Sequence, residues 1–303
     1  GATFPLHVKL SVPRGATLDT LVVNGVECEP YLTADHRLML EKTAEIIEGI
    51  RIVFKVVKPK VAYIGIEINK PDAIEVMEKA ARESGLPLSV VPLKVKYPQG
   101  DEKQLLKAVT GKEVPSGELP LAIGAVVVNV GTIYSIYEAV VFDKPLIERV
   151  VTVSGGCIKE PANLKVRIGT PMSSLIDECG GFLSVPEKIV AGGPLMGFGV
   201  YDLESPVTKG TSGVLALSAE EVRGAQRTAC ISCGRCIHAC PMGLSPTALF
   251  KQIDHGEYKL ALSDGLLDCK ECGCCAYVCP SHIPLVQGMK LGKRMARRKK
   301  VNA

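Results

Sequence analysis

The sequence predicts a multidomain α/β plus α+β protein: an α/β domain over residues 1–146, a small α+β module with a connecting segment over 147–217, and a helical, cysteine-rich domain over 218–303. Three observations carry this expectation. Strand-like and helix-like runs alternate through the first part, glycine-punctuated short strands fill the middle, and two copies of one cysteine pattern close the chain.

In the first part, residues 21–24 read as a short buried strand. The periodicity then starts a helix at Asp35 and carries it to about Val57, with Leu40, Ala44, Ile47 and Phe54 among its apolar positions. Residues 61–66 form the next strand. Asn69 and Pro71 open a helix marked by Ile74, Met77, Ala80 and Ala81, and Gly85 stands where a C-terminal cap glycine belongs. With the strand at 88–91, this unit has the size of a right-handed βαβ crossover. Residues 101–109 are a short helix closed by Gly111, 125–130 a strongly apolar strand, and Thr132 opens a helix with Ile133, Ile136, Tyr137 and Val140 on one face. The pattern changes near Arg149. Val150, Val151 and Val153 precede Ser154-Gly155-Gly156, Leu164, Val166 and Ile168 alternate, a short helix holds Leu175 and Ile176, and glycine turns follow at 180–181 and 192–194.

Composition excludes several classes. Hydrophobic residues make up 47% of the 303 and charged residues 22%, as in ordinary globular proteins. No apolar run approaches the ~18 residues of a membrane span, and no secretory leader is evident. The first residue is not Met, and Gly1-Ala2-Thr3-Phe4-Pro5 reads as the interior of a longer chain with residues expected upstream. The net charge is +4, yet Lys290, Lys293, Arg294, Arg297, Arg298, Lys299 and Lys300 crowd the end, leaving the rest slightly acidic. Such a run is a solvated tail or an electrostatic dock for an acidic partner or anionic headgroups. Without interleaved aromatics it does not read as a nucleic-acid site.

Twelve cysteines in a long chain without an export signal favour metal or redox chemistry over disulfides. Cys230-x₂-Cys233-x₂-Cys236-x₃-Cys240-Pro241 recurs as Cys269-x₂-Cys272-x₂-Cys275-x₃-Cys279-Pro280. Each is the ligand run of bacterial two-cluster ferredoxins, in which three thiolates wrap one [4Fe–4S] cubane and the fourth crosses to the other. One cluster is therefore expected on Cys230, Cys233, Cys236 and Cys279, the second on Cys269, Cys272, Cys275 and Cys240. Backbone N–H groups of the tight loops can point at the sulfurs, and the fourth cysteine is expected at the start of a helix. Zinc sites use paired C-x₂-C knuckles instead. Cys274 breaks the spacing and reads as a neighbour, and Cys28, Cys157 and Cys179 as small buried hydrophobes. The histidines show no ligand spacing; His238 and His282, beside cluster cysteines, read as surface residues.

Gly1-Ala2-Thr3-Phe4-Pro5-x₃-Lys9 resembles the end of the glycine-rich flavin loop in the NADH-oxidising flavoprotein subunit of respiratory complex I. Over essentially its whole length the chain resembles the C subunits of the Rnf (Rsx) electron-transport complexes. The residues carrying this include Asn24-Gly25-Val26-Glu27-Cys28-Glu29-Pro30, Ile64-Gly65-Ile66-Glu67, Asn129-Val130-Gly131-Thr132, Ala191-Gly192-Gly193-Pro194 and Glu271-Cys272-Gly273-Cys274-Cys275. The resemblance implies a Rossmann-like flavin domain holding FMN with NAD(H) stacked over it, a β-grasp SLBB domain, and a helical domain with two [4Fe–4S] clusters. It implies a peripheral subunit at the cytoplasmic face of the bacterial inner membrane. Its partners would be the other subunits of a ferredoxin:NAD⁺ oxidoreductase coupled to ion movement, especially a ferredoxin-like cluster-bearing one. By motif, Lys9 would face the flavin phosphate or ring, and Asn24, Glu27, Gly65, Glu67, Asn129 and Thr132 would line the flavin site. Glu29 would lie on the nicotinamide side. Taken alone, Asn129 reads as a turn or cap residue. Val26 stands where the complex I pattern has Asp, Leu6 where it has Thr, and the glycines before Gly1 are absent. Two alternatives share these features: a cobalamin reductase of bacterial microcompartments, and an electron-wire subunit without flavin.

Overall fold

The computed structural model describes residues 4–13, 15, 17–222 and 226–301, with side chains through 298. Gly1, Ala2 and Thr3 of the loop motif, and the side chains of Lys299 and Lys300, lie outside the described residues. The chain divides into two compact units, residues 1–222 and 223–303.

In the first unit a short helix α1 (Leu6–Leu10) precedes β1 (Thr20–Asn24), α2 (Ala34–Glu41), α3 (Thr43–Val57), β2 (Val61–Glu67), α4 (Pro71–Glu83), β3 (Leu88–Leu93), α5 (Glu102–Thr110), β4 (Ala125–Asn129) and α6 (Val130–Phe142). The four strands pair in parallel in the order β3-β2-β1-β4. Strand alternation sends Leu21, Val23, Val126 and Val128 to one face, with Ile46, Ile50, Met77 and Ile133 of the helices. It sends Val22, Ala125 and Val127 to the other, with Leu105 and Leu106 of α5. A parallel sheet covered on both faces is a doubly wound α/β layer. The single helix expected over 35–57 is two. Lys42 leaves helical geometry at φ −129°, ψ 32°, and the Thr43 hydroxyl bonds back to the Met39 carbonyl at 2.6 Å.

The close approach of α3 and α6 requires Gly49, where a Cβ would lie 2.3 Å from the Ile133 carbonyl oxygen. Ala normally gains about 1 kcal/mol over Gly inside a helix, but a clash with backbone has no rotamer escape, and overpacking costs about 1–3 kcal/mol. Gly49→Ala is therefore expected to lower the urea midpoint. A midpoint at or above wild type would show that the two helices move apart freely.

The module that follows has β5 (Glu148–Ser154), β6 (Ala162–Arg167), α7 (Met172–Glu178), β7 (Lys188–Ala191), β8 (Phe198–Gly199) and β9 (Gly213–Leu217). The sheet order is β6-β5-β9-β7-β8, with β5 and β9 parallel at its centre and the other pairs antiparallel. Met172, Leu175 and Ile176 of α7 close the core, with Cys157 and Cys179 buried among them. This is the β-grasp arrangement.

The second unit is helical: α8 (Arg235–His238), α9 (Pro246–Asp254), α10 (Tyr258–Ser263), α11 (Cys274–Tyr277) and α12 (Leu285–Val301). Leu249, Ile253, Ala261, Leu266 and Met289 form its apolar centre. The basic run lies within α12 and is helical through Val301.

Candidate functional site

In an open parallel sheet, ligands bind beyond the carboxyl ends of the strands, where the order reverses. Here that point lies between β1 and β4. Asn24 of β1 stands in register with Gly65 of β2 and Asn129 of β4, so three residues expected in the flavin site share one row. The Asn24 amide donates to the Gly100 carbonyl at 2.9 Å, while its Oδ1 accepts the Val26 N–H. Asn129 caps α6, its Oδ1 accepting the Gly131 N–H at 2.9 Å, and its amide donates to Asp35 at 2.7 Å. The cap reading of Asn129 therefore holds, one turn earlier than the helix start expected at Thr132. Thr132 sits in the first turn of α6. Gly65 has no room for a side chain, since a Cβ would meet Leu105 at 2.9 Å and Leu93 at 3.0 Å.

The acidic residues are turned into the protein. Both Glu27 oxygens accept N–H groups at the start of α2, from Asp35 at 2.8 Å and His36 at 3.0 Å. Burial, and then the neighbouring Asp35 charge, push the Glu27 carboxyl up to about 8. A carboxyl raised in the folded state favours folding when protonated, so its contribution declines as pH climbs from about 4.5 to about 8. Relative to Glu27→Gln, the wild type is expected to lose stability across that window. Denaturant unfolding of both proteins at its two ends checks this, and a constant difference would contradict it.

Glu67 at the end of β2 is almost fully buried. It accepts the Lys96 N–H at 3.1 Å and lies 3.6 Å from the equally buried Lys70, whose ammonium donates to the Val26 carbonyl at 3.0 Å. Sequence reasoning missed Lys70; its signal was a lysine three residues beyond an acid at a strand end. Lys9, half-buried, pairs with Glu102 at 2.5 Å.

Residues 29–33 tie the α/β layer to the β-grasp module. Glu29 accepts the N–H groups of Leu195 at 3.1 Å and Met196 at 2.8 Å, and burial raises its pKa. The Tyr31 hydroxyl donates to Glu221 at 2.6 Å, and the Thr33 N–H to Thr152 at 3.1 Å. Gly193 is required against Glu29, where a Cβ would come within 2.3 Å.

In the second unit the two cysteine runs adopt one backbone course 39 residues apart. Ser232 and Glu271 both have φ +56°, Gly234 and Gly273 have +72° and +87°, and Gly243 and His282 have +66° and +47°. The Ser232 N–H points at Cys230 Sγ and the Glu271 N–H at Cys269 Sγ, each at 3.4 Å. One cavity is lined by Cys230, Cys233, Cys236 and Cys279, a second by Cys269, Cys272, Cys275 and Cys240, with Cys274 beside them. Among the described residues no three such side chains converge on a single-ion site. The expected helix start at Cys240 is corrected: Cys240 lies past the end of α8, in the turn before α9. Cys236, within α8, lines the first cavity, and Cys240, two residues past its end, lines the second. From α12, Lys293 bonds the Cys269 carbonyl at 2.6 Å and Glu271 at 2.8 Å, pinning that ligand loop. Cys28 is half-buried and accepts the Gly100 N–H at 3.3 Å. His238 and His282 are exposed.

A doubly wound layer with its polar residues at the switch point, a β-grasp module and eight thiols shared between two cavities define a flavin-domain and dicluster electron-transfer protein. The Nuo51 FMN-binding domain matches residues 1–138, the SLBB domain 150–199 and the 4Fe-4S dicluster domain 229–283. The C subunit of the Na(+)-translocating ferredoxin:NAD(+) oxidoreductase complex of Acetobacterium woodii is 45% identical over 304 residues, covering 100% of this chain and 68% of that protein. Its proton-translocating counterpart from Clostridium ljungdahlii is 52% identical over 249 residues, 82% and 54% of the two chains. The C subunit of the ion-translocating oxidoreductase complex of Rhodobacter capsulatus is 46% identical over 293 residues, 97% and 56%. The chain belongs to this family, the C subunits of ion-translocating oxidoreductase complexes. It spans 54–68% of the length of these three relatives. A chain of an NAD⁺-reducing [NiFe]-hydrogenase shares the fold, with a TM-score of 0.62 at 14% identity over 96% of this chain and 57% of that one. Among the described residues, no helix is long and apolar enough to cross a membrane.

Proposed function

We propose that this chain passes electrons between NAD(H), FMN and two [4Fe–4S] clusters as part of a ferredoxin:NAD⁺ oxidoreductase coupled to ion translocation. The observation that carries this reading is the four-and-four division of the thiols, which matches the crossed ligand sets of two-cluster ferredoxins. One cluster is held by Cys230, Cys233, Cys236 and Cys279, the other by Cys269, Cys272, Cys275 and Cys240. Loop N–H groups directed at Cys230 and Cys269 suit anionic sulfur, since hydrogen bonds to the sulfurs adjust the cluster potential.

The residues beyond the strand ends fit FMN in chemistry. The Asn24 and Asn129 amides and the Lys9 ammonium are of the right chemistry for a phosphate and a polar ring, and would turn to it by exchanging their present partners Gly100, Asp35 and Glu102. Among the four helices that follow the strands, α6 has no acid in its own first turn, but the Asp35 carboxylate bonds its cap residue Asn129, so a phosphate at that helix end would have to displace it. Glu27, Glu67 and Gly65 support the site from beneath, by holding α2, the Lys96 segment and close strand packing. Glu29 acts on the nicotinamide side by fixing the loop at Leu195 and Met196. FMN, held by these residues, would supply the conversion between the two electrons of a hydride and two single-electron transfers. The chain works at the cytoplasmic membrane face with the other subunits, a ferredoxin-like one among them.

Anaerobic purification followed by iron, sulfide and flavin counts tests the reading. About eight iron atoms per chain are expected, with flavin that NADH bleaches. Zinc in place of iron, or bound FMN that NADH leaves oxidised, would overturn it.

A further inference from the structure

The exposed cations of α12 flank one of the two cavities and not the other. Lys290, Arg294, Arg297 and Arg298 are exposed, and with Lys293 and Glu271 they line a single concavity. Glu271 also lines the cavity of Cys269, Cys272, Cys275 and Cys240. The concavity thus holds five cations against one carboxylate, and that carboxylate is already paired with Lys293. Spacing of three and four residues places Lys290, Arg294, Arg297 and Arg298 along one side of the helix.

Resting on the cluster reading above, we infer that this concavity docks an acidic one-electron carrier protein, and that electrons enter or leave through the cluster on Cys269, Cys272, Cys275 and Cys240. Charge complementarity and position argue for this occupant. A cationic groove raises the encounter rate of an anionic partner, and Lys293 and Glu271 connect its floor directly to the ligand loop. A membrane surface fits less well. Amphipathic helices that lie in lipid bury an apolar face, and Leu291 is the one exposed large hydrophobic residue of α12 among those described.

The test compares the cluster-loaded chain with a Lys290→Gln, Arg294→Gln, Arg297→Gln, Arg298→Gln variant. Lys293 is left in place because it holds the loop. Iron, sulfide and visible absorption confirm loading in both, and a chain without clusters would sink the functional reading itself. Reduction is then followed by stopped flow with a reduced acidic ferredoxin and, separately, with dithionite. Steering by such a patch is worth about 10-fold or more in association rate, so the variant is expected to react about tenfold more slowly with ferredoxin and at an unchanged rate with dithionite. The wild-type rate should fall steeply as salt rises from about 0.01 to 0.15 M, where the Debye length shrinks from about 30 to 8 Å, and the variant rate should stay flat. An Arg294→Lys, Arg297→Lys, Arg298→Lys variant should retain the fast, salt-sensitive rate. Equal ferredoxin rates in a loaded wild type and Gln variant would overturn the inference. So would equal rates accompanied by loss of binding to phosphatidylserine vesicles, which would assign the patch to lipid.

Discussion

Replacing Cys240 with Ala is expected to abolish the cluster of the other cysteine run, not of its own. Cys240 lines the cavity with Cys269, Cys272 and Cys275, while Cys279 lines the cavity with Cys230, Cys233 and Cys236. Each single variant should retain about half the wild-type iron and sulfide, and the two should leave different EPR signals. The pairs decide the matter. Cys240→Ala with Cys269→Ala removes two ligands of one cluster and leaves the other intact. Cys240→Ala with Cys230→Ala takes one ligand from each and loses both. Uncrossed ligation predicts the reverse pattern. Because the ligand set assembles only in the folded unit, cluster loss should also lower the melting temperature of that unit.

The second large effect is expected at Lys70. Among the described residues its ammonium is the one cation found within 4 Å of the buried Glu67 carboxylate, and it also holds the Val26 carbonyl ahead of Glu27. Removing one partner of a buried ion pair leaves an uncompensated charge, which costs about 3–5 kcal/mol. Against a total stability of roughly 5–15 kcal/mol for a domain, Lys70→Met should destabilise the flavin-domain unit severely in denaturant unfolding. Adding Glu67→Leu removes the stranded charge, and the double variant should recover most of the loss. The remaining deficit would come from the Lys96 N–H and Val26 carbonyl left without partners, at about 1–3 kcal/mol each. If the double variant were no more stable than Lys70→Met alone, the stranded carboxylate would not be the cause.

What could be read in the chain beforehand was whatever lies close along it. Three thiols at fixed short intervals need only a tight loop, so the ligand sets could be proposed from spacing. Period-2 and period-3.6 apolar patterns were enough for the doubly wound layer. Asp101 and Gly111 mark the two ends of α5 by local chemistry, the first accepting N–H groups of Lys103 and Gln104, the second at φ +73°. The break at Lys42 was not legible because the apolar period runs through it unbroken. Lys293 was hidden in a run of cations, where nothing local separates the one that folds back onto the Cys269 loop from its exposed neighbours. The partners of Glu27 and Glu29 depend on contacts between elements, which no window on the sequence contains.

The anchors at Glu29, Tyr31 and Thr33 alternate along five residues, the first and last reaching different points of the β-grasp module and the middle one Glu221, just past its last strand. Substitution at any one would loosen a single fastening. An insertion or deletion inside the stretch would be far worse, because a one-residue slip rotates every later anchor away from its mate at once. This segment should therefore keep its length through evolutionary time even where its letters drift, and grafting a β-grasp module from elsewhere would succeed only if the donor brought matching attachment points at the same intervals.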